Sequence, residues 1–128
     1  MTADELSERL WKFAARIGKV VDALPDTRLG RHVTGQLVRS GTAAPPNYDE
    51  RCAAESKADF SHKLNIALKE LVETRGRLRF IPTAELLPVN RITELIDECD
   101  QLSRILGKSV ATAIGKSRPP HAEGQAPN

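Results

Sequence analysis

Aromatic residues are scarce in this chain, with one Trp, one Tyr and three Phe among 128 residues. A core must therefore be built from Leu, Ile, Val and Ala, which suits helices packed on helices. Cysteine is equally sparse. Cys52 and Cys99 form no CxxC pair and match no metal-ligand spacing, so neither a disulfide framework nor a structural zinc site is expected. No run approaches the roughly 20 apolar residues that span a bilayer. There is no Gly-rich phosphate loop and no nucleophile elbow, and no stretch alternates as a strand does. Neither charge sign dominates: 19 Lys and Arg against 17 Asp and Glu leave +2 and a pI near 8.7. That is far from the excess of a histone-like protein, so the placement of basic residues matters more than their total. The opening "MTADELSERL" puts acids where a signal peptide carries positive charge. The expected compartment is the cytoplasm, with no membrane association.

What is present is helical periodicity. Leu6, Leu10, Phe13, Ile17, Val20 and Leu24 make one apolar stripe after a Thr2–Glu5 cap signal, predicting helix one over 3–24. Asp26 reads as the next N-cap, followed by Leu29, Val33, Leu37, Ser40 and Ala44 on one face. Pro45 and Pro46 interrupt this helix, since each lacks a donor and clashes with the carbonyl four residues back. Helix two is therefore predicted to bend there and to resume over "NYDERCAAE". Ser56 with Asp59 caps helix three, whose band is Phe60, Leu64, Ala67, Leu68, Leu71 and Leu78, and Pro82 closes it. Helix four buries Ile92, Leu95, Ile96, Cys99, Leu102, Leu106 and Val110 and runs to about 116. The expected fold is all-α, an antiparallel up-down four-helix bundle over 1–116, with residues 117–128 a disordered tail.

Chemistry finds little support. Glu70 and Glu73 resemble an acid/base pair, but Lys69–Glu73 and Glu73–Arg77 are ordinary pairs four apart, and no third group nearby would tune a pKa. His32, His62 and His121 are scattered, and the Glu-x-x-His repeats of a di-iron bundle are missing. No catalytic residue, metal or cofactor is expected.

Two other patterns carry more. Arg9, Lys12, Arg16 and Lys19 step by threes and fours into one basic stripe on helix one, and Arg28, Arg31 and Arg39 share the outer side of helix two. Such stripes suit a phosphate backbone, or they are solvated faces diluted by Glu5, Glu8 and Asp26. The two readings balance in a monomer; an oligomer that repeats the stripes around an axis favours binding of RNA or DNA. Helix one also has a softer second face of Trp11, Ala14, Ala15 and Gly18, and helix three carries Ile66 and Phe80 opposite its core band. These residues suit either packing within the bundle or an interface between copies of the chain.

Residues 36–74, "QLVRSGTAAPPNYDERCAAESKADFSHKLNIALKELVET", and 95–106, "LIDECDQLSRIL", resemble the four-helix bundle proteins encoded in intervening sequences of bacterial large-subunit ribosomal RNA genes. The shared pattern is Gln-Leu-x-Arg-Ser, a small-residue turn ending in Asn, Lys-x-Asp-Phe, then Lys-Leu-x-Ile-Ala-Leu-Lys-Glu. The chain departs from it at Ala44-Pro45-Pro46 and at Gly76. The resemblance implies a homopentamer of up-down bundles with a positive surface that meets nucleic acid, and no catalytic residue. A similar bundle serves as accessory protein to the reverse transcriptase of diversity-generating retroelements. The functional expectation is a self-associating bundle that binds RNA or DNA without sequence specificity. The alternative is a protein-binding scaffold or accessory subunit that binds no nucleic acid itself.

Overall fold

The Thr2 hydroxyl accepts the Glu5 N–H at 3.1 Å, covering one of the amides that a helix start leaves without a partner. From there α1 runs Ala3–Ala23 and turns Leu6, Leu10, Phe13 and Ile17 into the interior. The computed structural model describes residues 1–117; the expected tail lies, from residue 118 on, outside the described residues.

The second helix, α2, spans Arg28–Gly41. Its N-cap is Thr27, not the expected Asp26: the Thr27 hydroxyl accepts the Gly30 N–H at 3.0 Å, while the Asp26 carboxylate pairs with Arg31 at 2.9 Å. A Cβ at position 30 would lie 1.9 Å from the Pro25 carbonyl oxygen, so this tight entry requires glycine.

The bend expected at Pro45–Pro46 is present as a break just before the prolines. In an uninterrupted helix their amides would bond the carbonyls of Gly41 and Thr42, and proline has no amide hydrogen to give. The chain therefore leaves α2 at Gly41 and restarts as α3, Ala44–Glu50, with the prolines in its first turn, where a missing donor costs nothing. Thr42 N–H donates back to Val38 O at 3.1 Å, and Asn47 Nδ2 donates to Ala43 O at 2.8 Å. A short 3₁₀ turn, Arg51–Ala53, leads out of α3.

Ser56 caps α4, Lys57–Thr83, by accepting the Asp59 N–H at 3.0 Å. Pro82 ends this helix within one residue. The exit is a closing turn in which Leu86 N–H donates to Ile81 O at 2.9 Å and Glu85 N–H to Pro82 O at 3.0 Å. After a 3₁₀ turn at Val89–Arg91, α5 runs Thr93–Ser117.

These elements form an antiparallel four-helix bundle in which α2 and α3 together act as one broken helix. Around the bundle, α1 lies beside α2 and α3, these lie beside α4, α4 beside α5, and α5 beside α1. The described residues hold no strand. Inside, the stripes of the four helices merge into one cluster that includes Phe13, Ile17, Leu37, Leu71, Leu78, Leu102 and Leu106. Tyr48 and Ala44 join it from α3, so the broken segment packs as part of the second helix. Gly41 is the closest approach of α2 to α1: a Cβ there would stand 2.8 Å from Ile17 Cγ2. Two hydroxyls, Ser40 and Thr74, are fully buried and bond each other at 2.9 Å. Two residues expected in the core bands are instead substantially exposed, Leu29 at the start of α2 and Phe60 at the start of α4. Each sits in a first turn at the wall of a cleft, Leu29 facing α4 and Phe60 facing α5.

Candidate nucleic-acid and subunit interfaces

The two sides of α1 meet different neighbours. On one side Arg9 reaches α5: Nε donates to Glu98 Oε2 at 2.9 Å and a terminal nitrogen to Oε1 at 2.6 Å. Both side chains are mostly buried, at 29% and 19% exposure. The hydrogen bonds that Arg9 donates to Glu98 push its pKa up against the opposing effect of burial. Arg9 is thus a bridge between helices rather than a free cation. Lys12 pairs with Glu8 at 3.1 Å on the surface. Arg16 and Lys19 extend the same stripe in solvent, with no ion pair among the described residues.

On the other side, Asp49 of α3 clamps two residues one turn apart. It accepts Ser7 Oγ at 2.6 Å on one oxygen and Trp11 Nε1 at 2.8 Å on the other. Trp11 nevertheless stays 48% exposed. Ala15 and Gly18 continue its face, and a Cβ at Gly18 would meet nothing within 4 Å. Ala14, expected on this face, is buried inside the bundle, because it lies about 60° around the helix nearer the core than Trp11.

The α2 cations have separate fates too. Arg31 folds back on Asp26. Arg39 crosses to α4, where it bonds Glu73 at 3.1 Å and stands 3.7 Å from Glu70 Oε1, too far for a hydrogen bond. That Glu70 oxygen is buried without a hydrogen-bond partner. Burial pushes the Glu70 pKa up, Glu73 adds to this, and Arg39 only partly offsets it. The Glu70–Glu73 pair is therefore an interhelical contact, although its partner is Arg39 and not the Lys69 or Arg77 of its own helix. Arg28 points outward with no ion pair among the described residues.

The two basic stripes consequently do not join. Arg9 of the α1 stripe reaches α5 and Arg39 of the α2 stripe reaches α4, while Trp11, Ala15 and Gly18 lie on the α3 side and outer face of α1. Phe80 and Ile66 do not join Trp11 either. Ile66 is half-buried, and Phe80, 43% exposed, lies across from Leu29 in a cleft between α4 and α2. Spacing alone could not reveal the Asp49 clamp, the Arg9–Glu98 bridge or this cleft, since each joins residues far apart in the chain. The one visible signal was Phe80, a large apolar residue opposite the core band of its helix.

Among the described residues, no group of three His, Cys, Asp or Glu side chains is placed to hold a metal. No described helix is long and apolar enough to cross a membrane. Cys99 is buried, with its thiol donating to Leu71 O at 3.2 Å. Burial pushes its pKa up to about 12, so it is not a nucleophile at neutral pH.

The family model of the 23S rRNA-intervening sequence protein matches residues 5–108, from the first turn of α1 to beyond the middle of α5. The chain belongs to this family. A solved structure agrees with that assignment. It is a protein of unknown function from the S23 ribosomal protein family of Bacteroides thetaiotaomicron, 28% identical, covering 82% of this chain and 97% of that one, with a TM-score of 0.76. No curated protein matches. As a 23S rRNA-intervening sequence protein, the chain has a bundle that extends across the whole family match, including the broken second helix.

Proposed function

We propose that this 23S rRNA-intervening sequence protein is a non-catalytic cytoplasmic bundle that associates with copies of itself and binds RNA or DNA without sequence specificity. The observation that carries the reading is a local charge excess. Residues 9–39 hold seven Lys and Arg against two Asp, in a chain whose net charge is only +2. Arg16, Lys19 and Arg28 remain without ion pairs among the described residues and stand free to meet phosphates. The stripes lie on separate sides of α1 and α2, so one copy offers scattered cations, and an assembly that repeats them offers a charged surface. Trp11, Ala15 and Gly18 are the face proposed for that contact. The resemblance implies five copies.

A gel-shift titration tests the reading. Wild type is expected to retain labelled RNA and DNA at low salt, with affinity falling steeply as salt rises and varying little with sequence. Exchanging Arg16, Lys19 and Arg28 for Gln should weaken binding without loss of helicity. No shift at low salt would overturn the reading and leave the protein-scaffold alternative.

A further inference from the structure

Between α2 and α4 lies a cleft of about 440 Å³ lined by Leu29, His32, Val33, Gln36, Gly76, Arg77 and Phe80. Its composition differs from a bare packing defect. Leu29 and Phe80 expose 42% and 43% of their surface beside it. Gln36 and His32 supply amide and imidazole groups at its wall. Arg77 also lines it; among the described residues it forms no salt bridge, since the nearby Glu73 is taken by Arg39, although Glu70 feels its charge. No carboxylate lines the cleft. Arg28 sits one turn before His32 on α2, so a free cation stands at one mouth.

We propose that this cleft holds an unpaired nucleobase, which makes the protein a binder of single-stranded nucleic acid in preference to duplex. A base is planar and apolar on its faces and carries hydrogen-bonding groups on its edges. Phe80 offers a face for stacking, with Leu29 closing the other wall. Arg77 brings a donor-only guanidinium to the wall, which suits acceptors on the base edge. Gln36 both donates and accepts, so the cleft tolerates several bases. Arg28 takes the adjoining phosphate. The volume falls in the range of small-molecule sites. A base in a duplex is stacked on its neighbours and cannot enter, so duplex meets only the outer cations. This proposal rests on the nucleic-acid reading above and adds the strandedness and the contact residues.

The test compares three labelled probes of equal length by fluorescence anisotropy at low salt: single-stranded RNA, the same backbone with abasic sugars, and duplex RNA. Wild type is expected to bind the single strand about tenfold more tightly than the other two. Phe80→Ala removes the stacking face. Gly76→Leu fills the cleft from a position where a Cβ meets nothing within 4 Å, and it exchanges a poor helix former for a good one. Both variants should lose about tenfold on the single strand and keep the wild-type affinity for the abasic and duplex probes. Equal binding of all three probes by wild type, or unchanged single-strand binding by both variants, overturns the cleft proposal while leaving non-specific binding intact. If Phe80→Ala changes the size of the assembly instead of the affinity, the cleft is a subunit contact and the proposal fails. Absence of binding to any probe removes the nucleic-acid reading itself.

Discussion

Glu85 has a φ of 59°, the left-handed conformation that helix exits favour and that glycine adopts without strain. Its place in the turn after α4 is set by two backbone bonds, from Leu86 N to Ile81 O and from Glu85 N to Pro82 O. Glu85→Gly should therefore stabilise the fold by about 1 kcal/mol, read as a higher urea midpoint with unchanged slope. Cys99 makes a different prediction. Its thiol is held protonated by burial, with a pKa raised from 9.0 to about 12. The folded state thus keeps a proton that the unfolded state releases, so stability should fall as pH rises from about 9 to 12. In a Cys52→Ser background, iodoacetamide should label the protein at pH 8 only after denaturant is added. Rapid labelling of the native protein would contradict the burial. Glu70 is also raised by burial, so its ionisation opposes folding once the pH exceeds its ordinary range. Glu70→Gln should be more stable than wild type at pH 7, with the advantage vanishing in acid.

At the scale of elements, the second helix decides the shape of one side of the bundle. The prolines predict its bend, and proline chemistry also explains why the break falls at Thr42–Ala43 and not at the prolines themselves. Gly41, the last residue before that break, has Ile17 against its Cα. Gly41→Val should lose about 1–3 kcal/mol through overpacking, whereas Gly35→Val, where a Cβ meets nothing within 4 Å, should change stability little. Thermal melts of the pair separate a close helix contact from simple helix propensity. The Arg9–Glu98 bridge is a second interhelical feature. The stripe spacing predicts Arg9 as a phosphate contact beside Lys12, but its two bonds to a mostly buried carboxylate give it a structural role. Arg9→Gln should cost about 1 kcal/mol, and Arg16→Gln almost nothing. The helix spans and apolar faces were legible because periodicity is local; the bridge was not, because it depends on which helix becomes the neighbour.

For the whole molecule, the open question of assembly comes down to one face. Trp11 already bonds Asp49, so Trp11→Glu would set two carboxylates together and weaken the monomer as well as any interface. Ala15→Glu is the cleaner probe, since Ala15 is exposed and its replacement leaves the bundle interior untouched. Light scattering should report an assembly for wild type at micromolar concentration and smaller species for Ala15→Glu. A wild-type monomer would end the self-association proposal.

The sequence by itself determined the helices, their inward faces, the break near Pro45 and the family, because each is written in residues close together along the chain. Only the tertiary structure decided which charges are free. Arg9 and Arg39 read alike with Arg16, Lys19 and Arg28 in the sequence, but folding brings Glu98 and Glu73 to the first two from distant helices, whereas Arg31 takes its partner Asp26 from the adjoining turn. The order in which helices pack around the core also decided that the two basic stripes stand apart and that Phe80 faces Leu29. Periodicity specifies which face of a helix is buried. Which neighbour covers the flanks follows from packing all four helices at once.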